Sequence, residues 1–201
     1  MGTAYARAVM TGSDFPRVTV FGPHPLLSIT IEARGDADDV HLHAGGQGVW
    51  VSRAAGELGA RPVLCGFQGG ETGQVLAGLL ERLPGERRLV STQAASGCYV
   101  SDRRDGTRRP LARSLAEPAS RHEADELFSI TCSAALESAA LVVCNPFPGD
   151  SLPLDIYTNL VVDVRAGGVP VFVDLSTPRL DRALEGGPDL LSSTTGSWPS
   201  M

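Results

Sequence analysis

Apolar positions along this chain follow two different rhythms. In the first, short β-branched runs alternate with longer segments of helical period. Arg17 to Gly22 (RVTVFG), Pro62 to Phe67, Leu141 to Asn145, Val169 to Leu175 and the stretch from Asp189 onward are nearly continuous apolar runs bounded by turn residues. Between them lie segments with helical signals. One opens at the glycine-rich turn of residues 44–48 and runs through Leu58, with Gly59 placed to close it. Glu71 to Leu83 gathers Val75, Leu76, Leu79, Leu80 and Leu83 on one face. Ser120-Arg121-His122-Glu123 is an S-x-x-E capping box for a helix to about Glu137. Leu152 to Ala166, ended by Gly167, and Arg179 to Leu184 complete the set. Continuous apolar strands alternating with amphipathic helices predict an α/β fold, a mostly parallel sheet flanked by helices on both faces.

The second rhythm has period two. Leu27 to Arg34 and Val40 to His43, joined through Gly35 to Asp39, alternate apolar with polar residues. So do Gly97 to Arg103 and Thr107 to Ala112, which flank the hairpin dipeptide Asp105-Gly106. Strands polar on one face do not belong in a doubly covered sheet. They predict a small separate β-strand lid, built from residues of about 27–43 and 97–112.

Composition narrows the chemistry. The chain has 201 residues, a formal net charge of −6 and no lysine, all 17 basic residues being arginine. Without lysine there is no Walker-type phosphate loop, no Schiff base and no protein-kinase lysine. An acidic balance argues against a nucleic-acid partner, which needs clustered cations. No apolar run reaches the roughly 18 residues that span a bilayer, and Met1 to Pro16 has no signal-peptide pattern, so a cytoplasmic location is expected. Cys65, Cys98, Cys132 and Cys144 sit in apolar contexts without a C-x-x-C pair and are expected to be reduced.

Among candidate sites, the cluster Ala44-Gly45-Gly46-Gln47-Gly48 is the most informative. Glycines at a strand-to-helix junction let a ligand approach the backbone at a helix N-terminus, or else simply make a tight turn. Gly69-Gly70 reads first as a turn. His41 and His43 share a strand face as a metal pair would, but lack an evident third ligand, so a polar strand face is favoured. Ser28, Thr30 and Glu32 form the polar face of the first lid strand. Arg103, Arg104, Arg108 and Arg109 flank the hairpin turn, and Asp174 ends the VFVDLS strand where a cleft would lie.

The stretch AGGQGVWVSRAAGELGARPVLCGFQGGETG, Ala44 to Gly73, resembles the first signature of the ribokinase-like (phosphofructokinase-B type) carbohydrate kinases, with the 1-phosphofructokinase and tagatose-6-phosphate kinase branch nearest. HPLLSIT, Cys144-Asn145-Pro146 and VFVDLS support it in the same order along residues 17–191. The resemblance implies a ribokinase-like fold with a lid clasping a sugar, and ATP-dependent phosphoryl transfer to a sugar or sugar-phosphate hydroxyl assisted by Mg2+. It also implies substrate-binding roles for Ser28, Gly45, Gly46, Gln47, Gly48 and Trp50. Several matched positions depart from the family pattern. Ser28 stands for an aspartate, Gln47 for the lysine of Gly-Gly-Lys-Gly and Trp50 for an asparagine, while a phosphate-gripping arginine falls near Gly97. An indole at position 50 is expected to fill ligand space, and the substrate to differ from the usual one.

The family's Gly-Ala-Gly-Asp turn, with its catalytic aspartate and adenine pocket, has no counterpart in the sequence, so no catalytic residue is assigned. The expected organisation is an N-terminal extension (1–16), the N-terminal portion of a kinase domain (17–191) with its C-terminal part missing, and an aberrant tail (192–201). That tail, SSTTGSWPSM, is compatible with a shifted frame encoding Lys-Leu-Asn-Asp-Trp-Glu-Leu-Ala-Glu-Tyr, close to the family's Lys-x-Asn-x-x-Glu segment. A frameshift before Ser192 is therefore expected, and with it a truncated chain inactive alone. The alternatives are a non-catalytic sugar-binding module, pairing as a homodimer through its lid strands, and an unstable pseudogene product.

Overall fold

The computed structural model describes residues 15–146 and 152–192. The N-terminal extension and the tail expected from the sequence lie almost wholly outside these residues. Six parallel strands form the central sheet: β1 (Arg17–Phe21), β4 (Arg61–Gly69), β5 (Glu86–Thr92), β8 (Ala140–Cys144), β9 (Val171–Asp174) and β10 (Leu190–Ser192). Their spatial order is β10-β9-β8-β1-β4-β5. Among the described residues five helices accompany them: α1 (Gln47–Glu57), α2 (Gly70–Leu80), α3 (Arg121–Leu136), α4 (Asp155–Ala166) and α5 (Arg179–Glu185).

The near-continuous apolar runs are explained by burial on both sheet faces. Successive residues of one strand enter opposite cores: Phe21, Val63, Cys65 and Val143 pack with α3 and α4, whereas Val20, Leu64 and Cys144 pack with α1 and α2. Ser120 and Glu123 close the predicted capping box on α3, and Gly59, at φ 89°, follows α1 in the left-handed conformation that ends a helix.

Three local expectations need correction. Strand β5 carries no sequence signal because ERRLVST opens on charge. As the sheet's edge strand it holds those charges in exposed ion pairs, Arg88–Glu86 at 2.6 Å and Arg17–Glu86 at 2.9 Å. On α2, Val75 turns outward while Leu76 and Leu80 enter the core. The first lid pair is longer than expected: β2 (Leu26–Arg34) and β3 (Ala37–Gly45) pair from Arg34↔Ala37, leaving Gly35-Asp36 as a two-residue turn with Gly35 at φ 62°.

The second sheet contains β2 and β3 together with β6 (Cys98–Asp102) and β7 (Arg109–Ser114), in the order β3-β2-β6-β7. Its two hairpins join through a parallel β2–β6 pairing. Ser28, Thr30 and Glu32 occupy one face, and Ile29 and Ile31 the other. Their register partners Leu42, Val40 and Val100 extend that second, apolar face. The polar face lies over the central sheet where the chain reverses its direction of progress. From β1 the connection leads through α1 to β4 and β5 on one side, and later strands continue as β8, β9 and β10 on the other. Ligands of open α/β sheets collect at such a switch point, beyond the strand C-termini.

One backbone contact fixes the height of α1 above this point. A Cβ added to Gly48 would lie 2.6 Å from the Gly22 Cα, and one added to Gly22 would lie 2.8 Å from the Gly48 Cα. Both distances are below what any real side chain tolerates, so the end of β1 and the first turn of α1 touch backbone to backbone.

Helix propensity favours alanine over glycine by about 1 kcal/mol, whereas overpacking costs about 1–3 kcal/mol or more. Because both opposing atoms here are backbone, the steric term wins. Gly48→Ala is expected to lower the urea unfolding free energy by about 1–2 kcal/mol. Gly78→Ala on α2, where an added Cβ meets nothing within 4 Å, is expected to hold or raise it. Equal responses of the two variants would remove the steric account.

Candidate functional site

A cavity of about 830 Å3 lies between the polar face of the lid and the start of α1. The lid supplies Ser28, Thr30 and Glu32 from β2, His43 and Gly45 from β3, and Tyr99 from β6; Arg103 and Arg108 come from the loop between β6 and β7. Gly46, Gln47, Trp50 and Arg53 form the opposite wall, and Asn145, just after β8, the floor. Gly46 sits at φ 99° as the N-cap of α1, a conformation a side chain would strain.

Five of the six expected substrate-binding residues line this cavity: Ser28, Gly45, Gly46, Gln47 and Trp50. Gly48 does not. It is buried against Gly22, and its role is to let α1 approach β1. Trp50 lines the cavity as part of its wall. Its side chain is held under the Arg53 guanidinium, 4.9 Å from the ring centroid, and the residue stays 57% exposed as a cavity wall.

Gln47 is the central polar group. Its Nε2 donates to Asp174 Oδ2 at the end of β9, and its Oε1 accepts from the Asn145 backbone N–H at 2.6 Å. A backbone N–H can pair only with the amide oxygen, so the side-chain orientation is fixed. Asn145 Oδ1 in turn accepts from Ser176 Oγ at 3.1 Å and Ser176 N at 3.3 Å. One amide thus ties the helix start to the ends of two strands. Both ends of that amide are used within the protein.

Asp174 lies below the cavity wall rather than in it. Its Oδ1 is buried without a hydrogen-bond partner among the described residues. Burial pushes this carboxyl above the ordinary carboxylate range, and the Gln47 hydrogen bond only partly offsets it.

Other candidates resolve differently. His41 stacks beside His43 at 6.1 Å, and its Nε2 lies 3.6 Å from Asp39 and 4.0 Å from Glu32. Among the described residues no three His, Cys, Asp or Glu side chains are placed to hold a metal. Gly69 and Gly70 serve packing: a Cβ on Gly69 would lie 2.2 Å from the Ala94 carbonyl oxygen. Arg104 pairs with Asp102 and Asp38, and Arg109 with Asp105, leaving Arg103 and Arg108 to the cavity. All four cysteines are free. Burial pushes the Cys65 thiol up to about 12 and that of Cys132 up to about 11, values that leave them protonated at neutral pH. Sequence reasoning missed Tyr99, Arg53 and Asn145 as site residues, and no spacing signal marks them.

The folded-state value of Asp174 lies above the unfolded one, so folding favours its neutral form. Its contribution to stability is full below the ordinary carboxylate range and is lost as pH rises through the folded value. Asp174→Asn, able to keep an oxygen toward Gln47, is expected to be at least as stable as the parent at pH 7 and less stable relative to it at acid pH. Thermal melts across pH 4–8 check this; a variant uniformly destabilised at neutral pH would contradict it.

No protein-family model matches the sequence. Several solved structures match the fold. A candidate 1-phosphofructokinase from Thermotoga maritima aligns with a TM-score of 0.76 and 21% identity over 89% of this chain and 60% of its own. Phosphofructokinase-2 from Escherichia coli, in complex with fructose-6-phosphate, aligns at 0.71 and 20% identity over 88% and 61%. A ribokinase candidate from Agrobacterium tumefaciens aligns at 0.63 and 15% identity over 89% and 59%. The chain thus spans about 60% of the length of the structures it matches first. Its architecture of parallel sheet, covering helices and separate strand lid is the ribokinase-like fold of these sugar kinases.

Proposed function

We propose that this chain binds a sugar beneath its lid and is the acceptor-binding part of a carbohydrate kinase, one that passes the ATP γ-phosphoryl group to a sugar hydroxyl. The observation that carries this reading is the cavity itself. It sits at the topological switch point, is roofed by a polar strand face, and is bounded by a glycine-lined backbone turn. The fold it shares with phosphofructokinases and a ribokinase candidate supports the same class of chemistry.

Each wall has a chemical task in this reading. Ser28 and Thr30 offer hydroxyls, and the turn at Gly45 and Gly46 offers backbone without a side chain in the way. Both suit a polyol. Trp50 offers a flat apolar surface for the C–H face of a sugar ring. Gln47 holds the turn in place with one N–H and one lone pair of its amide, which leaves its second N–H for a sugar hydroxyl. The lid limits water in the cavity, as phosphoryl transfer requires.

ATP and Mg2+ enter by analogy of fold. The described residues provide no metal-holding set, and the sequence provides no lysine for nucleotide phosphates. We assign neither group a place among these residues, and we propose that the 201-residue chain alone transfers no phosphoryl group because its sequence has no Gly-Ala-Gly-Asp turn. The apolar outer face of the lid, with Val40 53% and Leu42 42% exposed, suits a second copy of the chain, so a homodimer through the lid is part of the proposal. No described helix is long and apolar enough to cross a membrane. We place the protein in the cytoplasm, with a sugar or sugar phosphate as its small-molecule partner.

Titration of the purified chain with hexoses and hexose phosphates, followed calorimetrically, is expected to show binding to at least one. Trp50→Ala should weaken it about three- to tenfold. Light scattering on the same sample is expected to give the dimer mass, and Leu42→Arg the monomer mass. Absence of any sugar binding would overturn the ligand class, ATP-dependent product formation would overturn the assignment as a binding part only, and a monomeric parent would overturn the lid pairing.

A further inference from the structure

Asp174 ends β9 at the edge of the sheet where the cavity opens, and it is held there without a counter-charge. Val171 and Val173 point into the core under α4, so by the strand period of two Asp174 faces the α1 side. From α1, Gln47 Nε2 donates to its Oδ2, while its Oδ1 is buried with no partner among the described residues. The flanking strands bring no charge. The register partners of Asp174 are Cys144 on β8 and Ser192 on β10, and burial pushes the Cys144 thiol up, which leaves it protonated. The cations of the cavity are engaged elsewhere: Arg103 faces Glu32, Arg53 stacks on Trp50, Arg108 on Tyr99, and His43 on His41. Among the described residues only the Gln47 hydrogen bond opposes the effect of burial on this carboxyl.

The side chain that would neutralise Asp174 is absent from the sequence. A lysine at position 47, which the kinase resemblance expects, would place an ammonium against the carboxylate and hold it ionised. An amide N–H bonds to either protonation state of a carboxyl and leaves burial to decide between them. Nor is the group fully dry. Asp174 is half-buried, and Gln47 and Asn145, which the same amide joins to it, both line the cavity. A ligand seated on these two residues displaces water from above Asp174 and makes its charged form costlier still.

We propose that a sugar bound under the lid takes up a proton at Asp174, which ties the affinity of the cavity to pH. The proposal rests on the cavity being a sugar site and adds its regulation. The proton comes from solvent and joins Oδ1, because Oδ2 is the acceptor for Gln47; no other bond is made or broken. Asp174 acts through Gln47 as a positioning residue and holds the amide in both states, so only the cost of the charge changes with pH. The proton affinity of the complex exceeds that of the free chain. Binding is therefore tightest where the free chain already carries the proton, weakens as pH rises through the free and bound midpoints, and levels off beyond the second.

The test follows the Asp174 carboxyl carbon by NMR in the full 201-residue chain across pH 4–8, free and with saturating fructose, tagatose or glucose, sugars with no titrating group in that range. Loss of the signal in Asp174→Asn assigns it. The free midpoint is expected above the ordinary carboxylate range and the bound midpoint higher again. Calorimetry in buffers of different ionisation heat should show uptake of a fraction of a proton between the two, with affinity about three- to tenfold weaker above that window than below it. Asp174→Asn, which keeps an oxygen for Gln47, should lose the uptake and retain the affinity that the parent shows at low pH. Gln47→Lys should bring the free midpoint down to the ordinary range or below. A midpoint that sugar does not move, or uptake that persists in Asp174→Asn, overturns the linkage while leaving the sugar site. If none of these hexoses binds, the linkage falls, and titration with hexose phosphates decides the sugar reading separately.

Discussion

The site is built on a contact between two glycines. Gly22 at the end of β1 and Gly48 in the first turn of α1 meet at a separation that excludes any side chain on either. This contact sets the helix start directly above the C-terminal edge of the sheet. Gly46, Gln47 and Trp50 take their positions from it, because they belong to the same turn and the backbone beneath them has no room to settle elsewhere. The parallel sheet supplies the edge, the helix supplies the wall, and the lid strands flanking the turn close the space above.

Gln47 converts that packing into a polar architecture. Asp174 and Asn145 follow different strands, and the glutamine amide joins them through one donated and one accepted hydrogen bond. The arrangement leaves Asp174 with a buried oxygen that has no partner among the described residues, and with a raised affinity for protons. A carboxyl buried with an unsatisfied oxygen is more a feature of functional sites than of well-packed cores. The cavity is lined instead by the hydroxyls of the lid, the indole of Trp50 and guanidiniums stacked on aromatic rings.

Most of the architecture was legible in the residue pattern because it follows from local rules. Burial on both faces gives the continuous strands, the capping box announces α3, and period-two polarity separates the lid from the main sheet. Strand β5 escaped because an edge strand can carry Glu86, Arg87 and Arg88 at its start, and charge at that position mimics a loop. Of the site, the glycine turn and the polar strand were readable, and the structure brings Ser28, Gly45, Gly46, Gln47 and Trp50 together around one cavity. What could not be read was long-range. The Gln47–Asp174 bond spans 127 positions, and the Tyr99–Arg108 stack depends on how the chain crosses between β6 and β7. The packing of Gly48 on Gly22 was hidden for a related reason: a glycine that admits a ligand and one that admits another strand look the same in sequence.

The central claim is that the cavity under the lid receives the ligand. Its most direct test is a backbone and indole 1H–15N spectrum of the chain during titration with a hexose phosphate. The account predicts that shifts concentrate at the Trp50 indole N–H and at the amides of residues 28–32, 45–50 and 99–108, with the outer strands β5 and β10 unmoved. Saturable shifts that leave Trp50 and the lid untouched, or appear only on the outer face of the sheet, would contradict it.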